Sequence, residues 1–297
     1  MFFSRQITEF KADFALLITA FIWGAALLPI VASLKTNDVF TILFWRFFIS
    51  ALIMGLIAYK FDKFFDKQAI KYGSILGLTL FLGTSFQTSA LKYTYSSSVS
   101  FIVSLYILFI PFMSFMLFKK KVGIYSYVGM FFGVLGLFLL KRNLEFGFGK
   151  GEILSICSAV SLAFHIVFMG YFTKKSELFT FLASQFLVIS ICCFLFSYTF
   201  RGGVVPILDY AFYKAMIITI FFSTVIGFGI EGLMLRYTTP VKAAIIFIFK
   251  SVTAGFLGYF FGGEDLNSIQ ILGACIIIAG ILISEVGPYL NKKSQKI

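Results

Sequence analysis

One histidine, four cysteines and thirteen acidic residues are all that 297 positions offer to acid–base, thiol or metal chemistry. His165 has no second metal ligand four residues to either side, so no metal site is expected. Cys157, Cys192, Cys193 and Cys275 all lie in apolar runs without ligand spacing and read as small apolar side chains. Neither a GxxxxGK[ST] phosphate loop nor an HExxH pair occurs, which leaves ATP-driven pumping and zinc hydrolysis without support. No cofactor is expected. Long polar connections are scarce too. The longest, 60–71, 141–150 and 201–210, run to about ten residues and leave no soluble domain. A membrane-embedded transferase, the rival from the enzyme class, needs a catalytic acid or histidine near the surface in sizeable loops, and these loops are short.

What fills the chain is apolar: 60% of residues are hydrophobic, 20% aromatic and only 13% charged. A soluble domain of this length could not hide that surface, since such domains run at about 25% charged. Apolar runs of membrane-crossing length cover roughly 12–32, 39–59, 72–91, 97–118, 122–140, 151–173, 178–200, 211–234, 240–262 and 268–290. The expectation is an all-α integral membrane protein of ten transmembrane helices, with the bilayer as its solvent. The first run follows Arg5 and Lys11 without a small-x-small cleavage site, so it reads as a retained span. The net charge of +12 is spread over short loops, which argues against nucleic acid and for topology. With the N-terminus inside, inner segments carry fifteen Lys and Arg residues and outer loops six. That bias puts both termini in the cytoplasm.

The two halves resemble each other. Leu91-Lys92-Tyr93-Thr94 answers Leu235-Arg236-Tyr237-Thr238 at an offset of 144, which also carries Gly129 to Gly273 and Gly136 to Gly280. Earlier in each half an offset of 139 carries Asp13 to Glu152 and Arg46-Phe47 to Gln185-Phe186. Residues 1–145 and 146–297 therefore read as two repeats of five spans each. Five is odd, so the second copy must cross the membrane in the opposite sense. Inverted repeats let two halves exchange outward-open and inward-open shapes around a site between them.

These motifs, with Ile22-Trp23-Gly24, Ser104-Leu105-Tyr106, Pro111, Gly151-Glu152 and Gly263-Glu264-Asp265-Leu266, resemble the EamA-like branch of the drug/metabolite transporter superfamily. The resemblance covers nearly the whole chain. It implies ten-span carriers of amino acids, other small metabolites or drugs in a bacterial inner membrane, with a central cavity between the halves. Two departures stand out. Lys119-Lys120-Lys121 replaces a turn that is commonly Gly-Glu-Arg, and Phe249-Lys250-Ser251-Val252 stands where many relatives carry Leu-Glu-Pro-Val.

Lys250 lies roughly 15 Å from either end of its run, near the bilayer centre. A charge there costs at least ~2.5 to 3.5 kcal/mol on insertion scales. Its side chain reaches only about 6 Å and cannot snorkel to water. It either binds a substrate group or pairs with an acid, and Glu231, on one helical face with Thr224 and Gly227, is the obvious partner. Tyr106 is the repeat mate of Lys250, Gln87 has Gly83 and Thr84 one turn earlier and could face a cavity, and Trp23 lies mid-span where it too could line it. Glu231 and His165 are the candidates for proton coupling, although a lone histidine is more often a hydrogen-bonded core residue. Arg46 suggests a structural or gating task, such as capping another helix. The stripe Ser97, Ser100, Ser104 reads as close packing.

The expectation is a secondary transporter for a small organic metabolite. Lys250 would meet a carboxylate and Glu231 an ammonium, which suits an amino acid or related zwitterion or anion. Efflux of cationic drugs is the alternative, which a basic residue at position 250 opposes. Direction, coupling ion and oligomeric state have no marker in the sequence.

Overall fold

The computed structural model describes residues 9–62, 66–119, 123–140, 149–238 and 240–294. Lys63, Lys120, Lys121, Lys141 and Arg142, which bear on the orientation, lie outside the described residues. Among the described residues, six helical rods are long and apolar enough to cross a bilayer: Phe10–Ser33, Val39–Phe61, Lys67–Ala90, Lys150–Phe172, Leu178–Phe200 and Tyr210–Met234. Four shorter apolar helices, Ser96–Ile110, Ile124–Gly136, Ile246–Phe261 and Ser268–Ser284, fall in the remaining apolar runs. Helix is what lipid demands, because a backbone amide in hydrocarbon has only its own chain to bond.

Seven rods are continuous: α3 (Val39–Phe61), α4 (Lys67–Ala90), α7 (Ile124–Leu140), α8 (Lys150–Phe172), α9 (Leu178–Arg201), α12 (Pro240–Phe261) and α13 (Ser268–Ser294). Three are interrupted, contrary to the unbroken runs read from sequence. The first divides at Ala26 into α1 (Glu9–Ala25) and α2 (Leu27–Ser33). The fourth divides at Leu105 into α5 (Ser96–Ser104) and α6 (Tyr106–Phe118). The eighth passes from α10 (Tyr210–Ile217) through a π-helical stretch, Ile218–Ile226, into α11 (Gly227–Met234).

Five of the scarce acids sit at helix starts, where unpaired backbone N–H groups and the helix dipole favour them. Asp38, Asp66 and Asp209 cap their own helices, accepting from Phe40 N at 2.9 Å, Gln68 N at 3.1 Å and Phe212 N at 2.7 Å. Two others cap helices far away in the chain. Asp62 accepts from Phe179 N at 2.6 Å and Thr180 N at 2.9 Å, at the start of α9. Glu264 accepts from Ser96 N at 2.7 Å and Ser97 N at 3.1 Å, and from both serine hydroxyls, at the start of α5.

Helix pairing follows a pattern across the two halves. α7 packs on α13, α3 on α9, and α5 on α12. The contact of α4 with α8 has its counterpart in α11 with α1, and that of α1 with α12 in α6 with α8. Glycines fix the α7–α13 pair. A β-carbon on Gly129 would lie 2.5 Å from the Gly280 carbonyl oxygen, and one on Gly136 would lie 2.6 Å from that of Gly273. Gly129 thus faces Gly280 and Gly136 faces Gly273, so the two helices cross in antiparallel register. Phe47 packs on its own mate Phe186, with ring centroids 5.7 Å apart.

The serine stripe of α5 is hydrogen-bonded as well as closely packed. Ser251 donates to the Ser100 carbonyl at 2.9 Å, and the hydroxyls of Ser104 and Ser251 meet at 2.5 Å. α12 runs unbroken past Ser251 and is tied to α5 through these hydroxyls. Residues such as Leu56, Phe131 and Phe256 are exposed around the outside, as a lipid-facing surface requires.

Candidate functional site

The three interrupted rods meet α3, α4, α8 and α12 around a cavity of about 90 Å³. Lys250, Glu231, Tyr106, Gln87, Trp23, His165 and Arg46 all line it. Their convergence has a simple cause: in a lipid-immersed chain, a polar side chain at mid-depth is tolerated only where it faces protein or water. Apolar walls between them come from Leu80, Leu162, Ile166 and Phe247.

Lys250 comes from the middle of α12 and is half-buried because it faces this cavity. Gly24 allows α1 to cross α12 here, since a β-carbon on it would lie 2.5 Å from the Lys250 carbonyl oxygen. Glu231, on α11, is 2% exposed, and its Oε2 has no hydrogen-bond partner. The Lys250–Glu231 pairing that the sequence allows is not made: the two share the cavity, but no Lys250 nitrogen comes within 4.0 Å of a Glu231 oxygen. Neither side chain is therefore engaged by the other.

Arg46 does not cap a helix end. Its Nε donates to Thr224 Oγ1 at 2.8 Å and its Nη2 to Ser223 Oγ at 3.1 Å, both within the π-helical stretch. Trp23 anchors the same stretch, donating from Nε1 to the Ser223 carbonyl at 2.8 Å between the rings of Phe228 and Phe247. Trp23 thus offers the cavity a ring and no free N–H. Thr224 is visible in sequence as part of the Glu231 face. Ser223 is missed by sequence reasoning, and the adjacent hydroxyl pair inside the apolar run ITIFFSTVI is its only signal.

His165 meets Gln185 on α9, with Nε2 and the amide nitrogen 2.6 Å apart. Either the amide donates to an unprotonated Nε2, or, with the amide turned, Gln185 Oε1 accepts from Nε2–H; that oxygen is otherwise without a partner. Gln185 is fully buried and stands out in sequence only as the mate of Arg46. Gln87 carries a buried Nε2 with no partner, and Tyr106, the first residue of α6 beyond the break at Leu105, makes no hydrogen bond from its hydroxyl within the described residues. Among the described residues, no group of three or more His, Cys, Asp or Glu could hold a metal ion.

Two mate pairs differ. Thr238 Oγ1 donates to Asp13 Oδ1 at 3.0 Å. Their counterparts, Thr94 and Glu152, share no hydrogen bond; Thr94 lies against Gly151, the residue before Glu152.

The sequence matches the EamA-like transporter family over residues 10–142 and again over 149–285. A protein of Archaeoglobus fulgidus named an uncharacterized transporter is 26% identical over 284 residues, spanning 94% of this chain and 87% of that protein. One of Haemophilus influenzae, also named an uncharacterized transporter, is 26% identical over 302 residues, spanning 91% and 93%. A crystal structure of a protein superposes with a TM-score of 0.69 over 93% of this chain and 96% of that one. Its 18% identity makes the likeness one of fold.

Proposed function

This chain belongs to the EamA-like transporter family, and from that premise we propose that it is a secondary transporter carrying a small amino acid or related zwitterion. One observation carries the reading. Lys250 and Glu231, opposite in charge, face one central cavity without pairing with each other. A carboxylate at Lys250 and an ammonium at Glu231 would satisfy both. Each would gain a charge-assisted hydrogen bond of about 1.5 to 3 kcal/mol. Cationic drugs fit less well, because Arg46 and Lys250 outnumber the one acid lining the cavity.

Transport by alternating access between two inverted five-helix repeats, 1–145 and 146–297, completes the reading. Its support is the reciprocal glycine contact of α7 with α13, the self-mate contact of Phe47 with Phe186, and the matched helix pairs. Rocking one half against the other would make the Asp13–Thr238 contact in one state and the Glu152–Thr94 contact in the other; only the first is hydrogen-bonded here. The loop-charge bias supports ten spans in a bacterial inner membrane with both termini cytoplasmic. For coupling, Glu231 is the better proton carrier, since its free oxygen faces the cavity while His165 is engaged by Gln185.

A ligand-stabilisation panel on purified protein tests the substrate class. Neutral and acidic amino acids should raise the melting temperature, and cationic dyes should not. Stabilisation by dyes alone would overturn the reading.

A further inference from the structure

The cavity holds one more cation than a neutral zwitterion needs. Arg46 cannot shed its charge, yet its partners are all neutral: the hydroxyls of Ser223 and Thr224 and the ring of Phe47, 4.9 Å from the guanidinium carbon. No carboxylate among the described residues pairs with it or with Lys250 within 4.0 Å. With Arg46 and Lys250 protonated and Glu231 in the deprotonated state that accepts an ammonium, the cavity lining sums to one positive charge. Its free hydrogen-bonding groups are unbalanced in the same direction. The Lys250 ammonium and the buried Gln87 Nε2 are donors without partners, and the Tyr106 hydroxyl can donate, whereas Glu231 Oε2 is the unpartnered carboxylate acceptor. Arg46 and Gln87 stand on α3 and α4, which pack on each other, while Lys250 stands on α12 beside α1 and α5.

We infer that the cavity prefers an amino acid with an acidic side chain, one ammonium and two carboxylates, and that Arg46 and Gln87 hold the second carboxylate. This rests on the zwitterion reading above and sharpens it. A substrate of net charge minus one brings the filled cavity to neutrality, which is what burial at the centre of a bilayer favours. A neutral amino acid leaves Arg46 without an anion, and a dicarboxylate without an ammonium leaves Glu231 Oε2 unpaired.

The test is competition in proteoliposome exchange by the full chain, with aspartate and glutamate set against their isosteric amides asparagine and glutamine, and against succinate. The acids should compete about tenfold or more tightly than the amides, the difference one charge-assisted contact makes, and more tightly than succinate. Gln87→Leu, which removes an amide nitrogen that bonds nothing in the fold, should cut the acid-over-amide ratio to about threefold or less. Arg46→Lys should keep more of that ratio than Arg46→Gln. Because Arg46 also braces the π-helical stretch, Gln87→Leu is the deciding variant should Arg46→Gln fail to fold. Amides competing as tightly as acids would overturn the acidic preference and leave the amino-acid reading intact. Succinate competing while no α-amino compound does would overturn both.

Discussion

Replacing Lys250 by alanine separates a binding lysine from a structural one. Its ammonium faces the central cavity, hydrogen-bonds nothing among the described residues, and lies beyond ion-pair distance from Glu231. The fold therefore loses little when it goes, while a bound carboxylate loses a charge-assisted hydrogen bond of about 1.5 to 3 kcal/mol. At 1.4 kcal/mol per decade, affinity should fall roughly ten- to a hundred-fold. Lys250→Ala should still insert, purify as a monodisperse species and melt within a few degrees of the parent, yet show that loss in substrate-dependent thermal stabilisation. Lys250→Arg should keep part of the affinity, since charge remains but its geometry changes. Lys250→Glu should reject the native substrate. A structural ion pair makes the opposite forecast: Lys250→Ala would unfold the protein, and adding Glu231→Ala would restore stability and transport together. Recovery of transport in that double variant would refute the reasoning.

Three further outcomes are expected. Cysteines introduced at 141–150 and 201–210 should react with an impermeant maleimide from outside intact cells, and those at 60–71 or the C-terminus should not; outside labelling of the C-terminus would contradict the ten-span topology. If transport in proteoliposomes follows a pH gradient, Glu231→Gln should abolish the response and His165→Ala should leave most of it, and a gradient-driven flux surviving in the double variant would point to exchange or another coupling ion. Gly136→Leu should destabilise the protein by about 1 to 3 kcal/mol or more through overpacking, because even a β-carbon there would lie 2.6 Å from the Gly273 carbonyl oxygen; a melting temperature equal to the parent's would show that the α7–α13 contact yields.

Much of the site is legible in the sequence because lipid restricts where polarity can go. Lys250, Glu231, Gln87 and Arg46 stand out in apolar runs, and the same cost that makes them conspicuous drives them toward one cavity. The glycine pairs are legible as repeat mates, since close helix crossings need them. The interruption at Ala26 has a local cause, since Pro29 lacks the N–H that would bond the Ala25 carbonyl; the break at Leu105 and the π-helical stretch are not legible, for neither glycine nor proline stands at the one or within the other. The side chains that anchor the π-helical stretch, Trp23 and Arg46, lie about two hundred positions away. Asp62 and Glu264 escape for a related reason: local capping rules assign an acid to its own helix, and these two cap α9 and α5. The missing Lys250–Glu231 bond is beyond sequence as well, because a shared cavity and a shared ion pair leave the same pattern along the chain.

Alternating access around this cavity is tested most directly by locking one end. In a background with the four native cysteines replaced, Asp13→Cys and Thr238→Cys join the one hydrogen-bonded end contact of the mate pairs. The measurement is exchange of labelled amino acid in proteoliposomes, oxidised against reduced. Oxidation should abolish exchange while substrate still binds from one side, and reduction should restore it. Exchange that continues unchanged through the locked protein would contradict the account.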